Sequence, residues 1–194
     1  MDAKYWEERW EKGETAWDMG SACPALVAYC EQLEDKDLRI LLPGAGSAYE
    51  ADWLWKNGFH NVTVVDWSAK ALERLAERLP DFPREQLVVS DFFALEGQFD
   101  LVLEQTFFCA LDPAKRPSYV MKMFTLLKPG GTLAGLLFDF PLAGGPPFGG
   151  DEEEYTELFH WLFEVKTMER CYNSIKPREG RELFFILKKR ILEG

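Results

Sequence analysis

The stretch RILLPGAGSAYEADWLWKNGFHNVTVVD, residues 39–66, decides the fold. It opens on a short apolar run from Arg39 to Pro43, turns through Gly44 and Gly46, and enters AYEADWLWKNG, which keeps helical spacing up to Gly58. It closes on the β-branched run from Asn61 to Asp66. These pieces make one strand–helix–strand unit, whose right-handed crossover makes the two strands parallel.

The alternation continues toward the C-terminus. Ser68 can cap a helix whose apolar face is Ala71, Leu72, Leu75, Ala76 and Leu79, ended by Pro80. QLVVSD, ending at Asp91, reads as a third strand, and FDLVLEQ, residues 99–105, as a fourth. Pro113 opens a helix reaching Leu127, the turn Lys128-Pro129-Gly130-Gly131 breaks it, and GTLAGLLFDF is long and apolar enough for a buried fifth strand. A last helix runs from Asp151 to about Leu162. FEVKTMERCYN and RELFFILKKR follow with no helix between them, so they are expected to pair as an antiparallel hairpin. The pattern predicts an α/β fold: a doubly wound, seven-stranded, mostly parallel sheet with a C-terminal antiparallel hairpin. Residues 1–34 hold two helix-like stretches, the second from Ser21 to Glu34, too short for a domain and expected to lie over the carboxyl edge of the sheet as a helical lid.

At 194 residues, the chain fits one domain, 1–194. With 47% hydrophobic and 28% charged residues it has a globular composition, which excludes disorder and fibrous folds. The 22 basic and 33 acidic residues leave a net charge of −11, which argues against nucleic acid as a partner, because such binding neutralises phosphates with Lys and Arg. No apolar run approaches the roughly 18 residues of a membrane span, and MDAKYWEERWEKG lacks the apolar core of a signal peptide, so no membrane partner and a cytoplasmic address are expected. Cys23, Cys30, Cys109 and Cys171 form no CxxC pair and only two His residues could join them, so reduced thiols and no metal are expected. Nothing in the sequence sets the oligomeric state.

In open α/β sheets ligands bind beyond the carboxyl ends of the strands, where strand order reverses. Here the first strand ends in Pro43-Gly44-Ala45-Gly46-Ser47-Ala48-Tyr49-Glu50 and the second in Asp66. Gly44 and Gly46 let the backbone approach a ligand, and Asp66 can accept both hydroxyl hydrogens of a ribose. Tyr49 stands where a dinucleotide fingerprint has its third glycine, which disfavours NAD and favours an adenosine cofactor without phosphates. Asp91 and Phe92, after the third strand, suit an adenine: the carboxylate accepts from the exocyclic amine and the ring flanks the base. The plain alternative is an ordinary turn with a solvated strand-end acid.

The opening Trp6-x3-Trp10-x6-Trp17-Asp18, the loop LLPGAGSAYE with Asp66, and TFFCALDPAKRPSYVMKMFTLLKPGGTL leading to GGPPF are three stretches that belong together. In them the chain resembles the class I S-adenosylmethionine-dependent methyltransferases, and more narrowly the thiopurine S-methyltransferase superfamily with its plant-type thiol and halide methyltransferases. The resemblance implies S-adenosyl-L-methionine as cofactor, lined by Trp6, Trp10 and Trp17, with Gly44 at its amino-acid part, Gly46 beside it in the cofactor loop, Asp66 at the ribose and Asp91-Phe92 at the adenine. Gln105 is implied as a further cofactor contact, though thiopurine enzymes carry arginine there and plant halide enzymes tyrosine, so the acceptor cannot be copied from either.

Methyl transfer from a sulfonium is an in-line displacement with an activated leaving group, so the protein mainly positions and desolvates. No catalytic residue is therefore assigned; the expected acceptor is a small thiol or a halide-type anion. Aromatic faces stabilise a sulfonium, which suits Trp6, Trp10 and Trp17, although Trp6 and Trp10 also share a helix face as core residues do. Cys109 is not expected to act as a nucleophile, and His60 and His160 read as structural or exposed. The Gly/Pro-rich residues 139–150 shape the pocket or merely connect; Lys176, Arg178 and Arg181 read as solvated turn residues that could attract an anion. An NAD-dependent oxidoreductase and a non-catalytic cofactor-binding protein are the competing readings.

Overall fold

The structure is a computed structural model in which residues 3–142 and 144–191 are described. Seven strands form one sheet in the order β3-β2-β1-β4-β5-β7-β6. They are β1 (Ile40–Pro43), β2 (Val62–Asp66), β3 (Leu87–Val89), β4 (Phe99–Glu104), β5 (Leu127–Phe138), β6 (Phe163–Arg170) and β7 (Glu182–Lys189). β1 to β5 run parallel, and β7 enters antiparallel between β5 and β6. This is the sheet the alternation predicts, and the final pair is the expected antiparallel one.

Burial on both faces explains why the central strands are apolar without alternation. Leu42, Val62, Val64, Leu101 and Leu103 face one layer with α2 (Pro24–Cys30), α3 (Tyr49–Lys56) and α4 (Ala69–Arg78). Leu41, Val65, Val102 and Leu133 face the other with α5 (Arg116–Leu126) and α6 (Glu152–Phe159). α4 is capped as its sequence promises, the Ser68 side chain accepting from Ala71 N–H at 3.2 Å. Its Leu72 and Leu75 are buried, and truncating either to Ala costs about 2 to 5 kcal/mol.

Several boundaries differ from expectation: α6 ends at Phe159 and β6 at Arg170, short of the runs read for them, and two further differences have a clear cause. The Lys128–Gly131 turn lies inside β5: Leu127 already pairs with Phe99, and the register slips before Leu101 meets Thr132. Gly130, at φ 70°, absorbs the extra residues as a bulge, so α5 passes directly into the strand. The second N-terminal helix is only Pro24–Cys30, because Pro24 sets its first turn and Cys23 is extended. Ahead of it, α1 (Ala3–Lys12) packs on α4.

Candidate functional site

β1 has β2 on one side and β4 on the other, so strand order reverses between β1 and β4. The loops after β1, β2, β3 and β4 open there on one cavity of about 480 Å³, roofed by the N-terminal segment. Gly44 and Gly46 have φ of 55° and 53°, a left-handed conformation that costs glycine nothing. Aromatic rings press on both. A Cβ on Gly44 would fall 2.1 Å from Phe107 Cδ2, and one on Gly46 would fall 3.3 Å from Trp10 Cζ2.

Asp66 sits beside this loop. Its Oδ2 accepts the Gly46 N–H at 2.9 Å and its Oδ1 the Ser68 N–H at 2.8 Å. Burial raises the carboxyl above its ordinary range, and the N–H donors oppose that rise. Each oxygen keeps capacity for a further donor from the cavity. Asp91 accepts the Phe93 N–H at 2.9 Å at the head of a short turn, while the Phe92 ring is buried with its edge toward Phe107, centroids 5.0 Å apart.

Trp6, Trp10 and Trp17 meet edge to face, Trp17 standing 5.3 Å from Trp6 and 5.8 Å from Trp10. Contacts to distant parts of the chain fix this group. Asp18 accepts the Ser47 hydroxyl of the glycine loop, and the Arg178 guanidinium donates to the Trp17 carbonyl at 2.9 Å. The Arg74 guanidinium lies 5.0 Å from the Trp10 ring centroid.

Trp6, Trp10, Trp17, Gly44, Gly46, Asp66, Asp91 and Phe92 thus line one cavity; Gln105 does not. Gln105 turns behind the wall, with Nε2 3.7 Å from Met19 Sδ and Oε1 buried without a partner. Arg178, partly buried, and Arg181, exposed, line the cavity while Lys176 does not, so of the two readings of this turn the one that could attract an anion fits the two arginines. The residues joining β6 to β7 fold back over the site, a tertiary placement that local sequence does not announce. Arg178 is paired with Glu182 at 3.4 Å; Arg181 lies over Phe140, 4.7 Å from its centroid, and has no ion pair among the described residues.

Phe107, Phe138, Phe140, Pro146 and Pro147 complete an apolar wall. Arg116, buried at the start of α5, holds the loop carrying the prolines by donating to the Gly149 carbonyl at 2.7 Å and pairing with Glu154 at 2.5 Å. Cys109 reaches the cavity, but its thiol donates to the Thr106 carbonyl at 3.2 Å and burial pushes its ionisation well above the usual range, the opposite of an activated nucleophile. His60 packs on Trp55, the His160 Nδ1–H donates to the Glu157 carbonyl, and neither lines the cavity. Among the described residues no His, Cys, Asp and Glu cluster could hold a metal ion, and no helix is long and apolar enough to cross a membrane.

The sequence matches the thiopurine S-methyltransferase (TPMT) family over residues 1–190. It is 34% identical over 184 residues to the probable thiol methyltransferase 2 of Arabidopsis thaliana, covering 91% of this chain and 81% of that one. It is 32% identical over 186 residues to thiocyanate methyltransferase 1 of Brassica oleracea, with the same coverage of 91% and 81%. The thiopurine S-methyltransferase of Pseudomonas fluorescens is 29% identical over 189 residues, covering 85% and 86%. Among solved structures, the 1,6-didemethyltoxoflavin-N1-methyltransferase of Burkholderia thailandensis, bound to S-adenosylhomocysteine, superposes with a TM-score of 0.73 at 20% identity, covering 97% of this chain and 87% of that one. The magnesium protoporphyrin IX methyltransferase of Synechocystis, bound to S-adenosylmethionine, gives 0.73 at 12% identity, covering 97% and 98%. The fold is therefore that of the class I methyltransferases, and the protein is an S-adenosylmethionine-dependent methyltransferase. The chain belongs to the thiopurine S-methyltransferase family.

Proposed function

We propose that this enzyme methylates a small thiol, or a halide or thiocyanate-type anion, within the cavity that Trp6, Trp10 and Trp17 line together with Arg178 and Arg181. The carrying observation is the cavity's division. One wall has the glycine loop and Asp66 under Trp6, Trp10 and Trp17; another has Arg178 and Arg181 over Phe138 and Phe140. In a chain of net charge −11, whose cavity is lined by Glu14, Asp66, Asp91 and Asp112 as well as by cations, the side carrying Arg178 and Arg181 is the local feature that would draw an anion in.

The residues present fit the cofactor. The glycine cradle admits no Cβ without a clash at Gly44, the buried Gln105 Oε1 lacks a donor, and Asp66 has two oxygens with capacity to spare. S-adenosylmethionine supplies an electrophilic methyl group on a sulfonium. Asp66 would accept from the ribose hydroxyls, Asp91 and Phe92 would border the adenine, and Gly44 and Gly46 would meet the amino-acid part. Gln105 would contribute through its orphaned oxygen after a shift past Met19. The tryptophan faces would stabilise positive charge and keep water out. Arg178 and Arg181 would hold the acceptor as an anion, so no general base enters the scheme, in agreement with a cavity that no histidine lines.

The Asp18 and Arg178 contacts support reading residues 1–34 as a lid on a single domain, 1–194. Four unpaired, buried cysteines support a reducing, cytoplasmic setting, and the acidic charge supports acceptors other than nucleic acid. The test is transfer of labelled methyl to a panel of thiols, iodide and thiocyanate, alongside calorimetry with S-adenosylmethionine and NAD. Turnover of a thiol or an anion is the expected result. Binding of S-adenosylmethionine with no turnover across the panel would remove this acceptor class, and binding of NAD instead would remove the cofactor assignment.

A further inference from the structure

Glu104 is a carboxyl buried at the end of β4, where an aliphatic residue would cost less to bury. It does not line the cavity, yet one of its bonds runs to Phe107, which does. Oε1 accepts the Phe107 N–H at 2.8 Å and the Phe108 N–H at 2.9 Å, and Oε2 accepts the Tyr119 hydroxyl of α5 at 2.6 Å. One side chain thus ties the turn after β4 to the helix behind it.

That turn needs tying. Thr106 has φ 60°, a conformation rare and strained for a β-branched residue, and its hydroxyl donates to the Gln105 carbonyl at 2.7 Å. Phe107 follows, its ring packed directly on Gly44 at the cavity. β5 leaves Glu104 no freedom to retreat: a Cβ on Gly135 would fall 2.3 Å from the Glu104 carbonyl oxygen. Strain at a cavity persists only where its surroundings over-determine it, and here two backbone N–H bonds to one carboxyl group do so.

We propose that Glu104 is a positioning residue for methyl transfer: through the Phe107 and Phe108 amides it holds the Thr106–Phe107 turn where the ring of Phe107 separates the glycine loop from the acceptor wall. The residue acts through Phe107 and touches neither reactant. Its function is alignment of the methyl group with the acceptor, which sensitive in-line geometry makes a matter of kcat rather than of affinity. The inference rests on the methyl-transfer reading above, so an acceptor turned over by the wild-type enzyme is its starting point.

The experiment compares the full-length wild type with Glu104→Gln, Glu104→Ala and Tyr119→Phe, using that acceptor at saturating S-adenosylmethionine, with S-adenosylhomocysteine affinity read by calorimetry. Glu104→Gln keeps an oxygen for both N–H groups, and its amide can donate to the tyrosine oxygen. It is expected to retain kcat within about threefold. Glu104→Ala is expected to lose kcat at least about tenfold with S-adenosylhomocysteine affinity changed less than about threefold. If Glu104→Ala fails to fold, Tyr119→Phe carries the test, with an expected loss of about three- to tenfold in kcat and little change in KM. Wild-type kcat in a folded Glu104→Ala or, in its place, in Tyr119→Phe would overturn the proposal, as would a folded Glu104→Gln as impaired as the alanine variant. A wild type inert toward every acceptor would instead sink the methyl-transfer reading.

Discussion

Replacing Asp66 with alanine separates two tasks that the structure gives one carboxylate. In the free protein its oxygens already accept the Gly46 and Ser68 N–H groups, so the variant loses those anchors as well as the ribose acceptors. The loop borders a cavity of about 480 Å³ that water can enter, which lets solvent satisfy the freed N–H groups and keeps the stability loss to about 1 to 2 kcal/mol. For the cofactor, two charge-assisted hydrogen bonds disappear. Against competition from water their combined worth is about 2 to 3 kcal/mol, or roughly 30- to 150-fold in Kd. Calorimetry with S-adenosylhomocysteine reads the second quantity and urea unfolding the first. Because burial raises the Asp66 carboxyl while ribose donors favour its ionised form, wild-type affinity should also fall as pH drops through that raised value. Asp66→Asn should show no such fall. A folded Asp66→Ala protein whose Kd stays within about threefold of wild type would refute the placement of the ribose at Asp66.

Trp6→Ala should weaken S-adenosylmethionine more than S-adenosylhomocysteine in a fluorescence titration, since only the former carries the sulfonium; equal losses would reduce the tryptophans to packing. Trp6 is the cleaner site, because Trp10 is 2% exposed and its truncation also costs about 3 to 5 kcal/mol of core stability. Burial raises Glu104 from 4.5 to about 7, so its own contribution to folding stability is full below pH 4.5 and is lost as pH rises through 7. At about 1.4 kcal/mol per pH unit the decline approaches about 3 kcal/mol. Urea unfolding between pH 4.5 and 8 should show it, and Glu104→Gln should flatten the curve; parallel curves would mean that Glu104 stays ionised throughout. For thiol acceptors, kcat/KM should track the acceptor's own ionisation, while iodide turnover should be nearly flat. An enzyme group titrating near 6 to 7 that survives in Glu104→Gln would expose a general base.

The sheet and the part of the cavity lining that follows β1, β2 and β3 were legible because both are local. Gly44, Gly46, Asp66 and Asp91 follow strands whose ends the sequence marks, and parallel order brings strand ends together. Gln105 illustrates the limit. Its position at a strand end was readable, but Thr106 at φ 60° re-aims the chain there and the side chain turns toward Met19. Arg178 and Arg181 were harder still, since a turn between two antiparallel strands looks the same whether it meets solvent or a cavity. Glu104 carried a weak signal, an acid ending an otherwise apolar strand, which only the Phe107 and Phe108 amides turn into a function. The β5 boundary was missed because Pro129-Gly130 serves equally as a turn or a bulge.

The bond from Arg178 to the Trp17 carbonyl spans 161 residues of chain. A contact over such a separation cannot form until nearly the whole chain is present, so it is expected late in folding during synthesis. β7 reinforces the delay, because it follows β6 in the chain yet must be seated between β6 and β5. On a ribosome, the glycine loop and Asp66 would emerge long before the guanidinium that pins Trp17 beside them. A nascent chain would therefore carry half a binding site, open to solvent, until its final strand had been inserted.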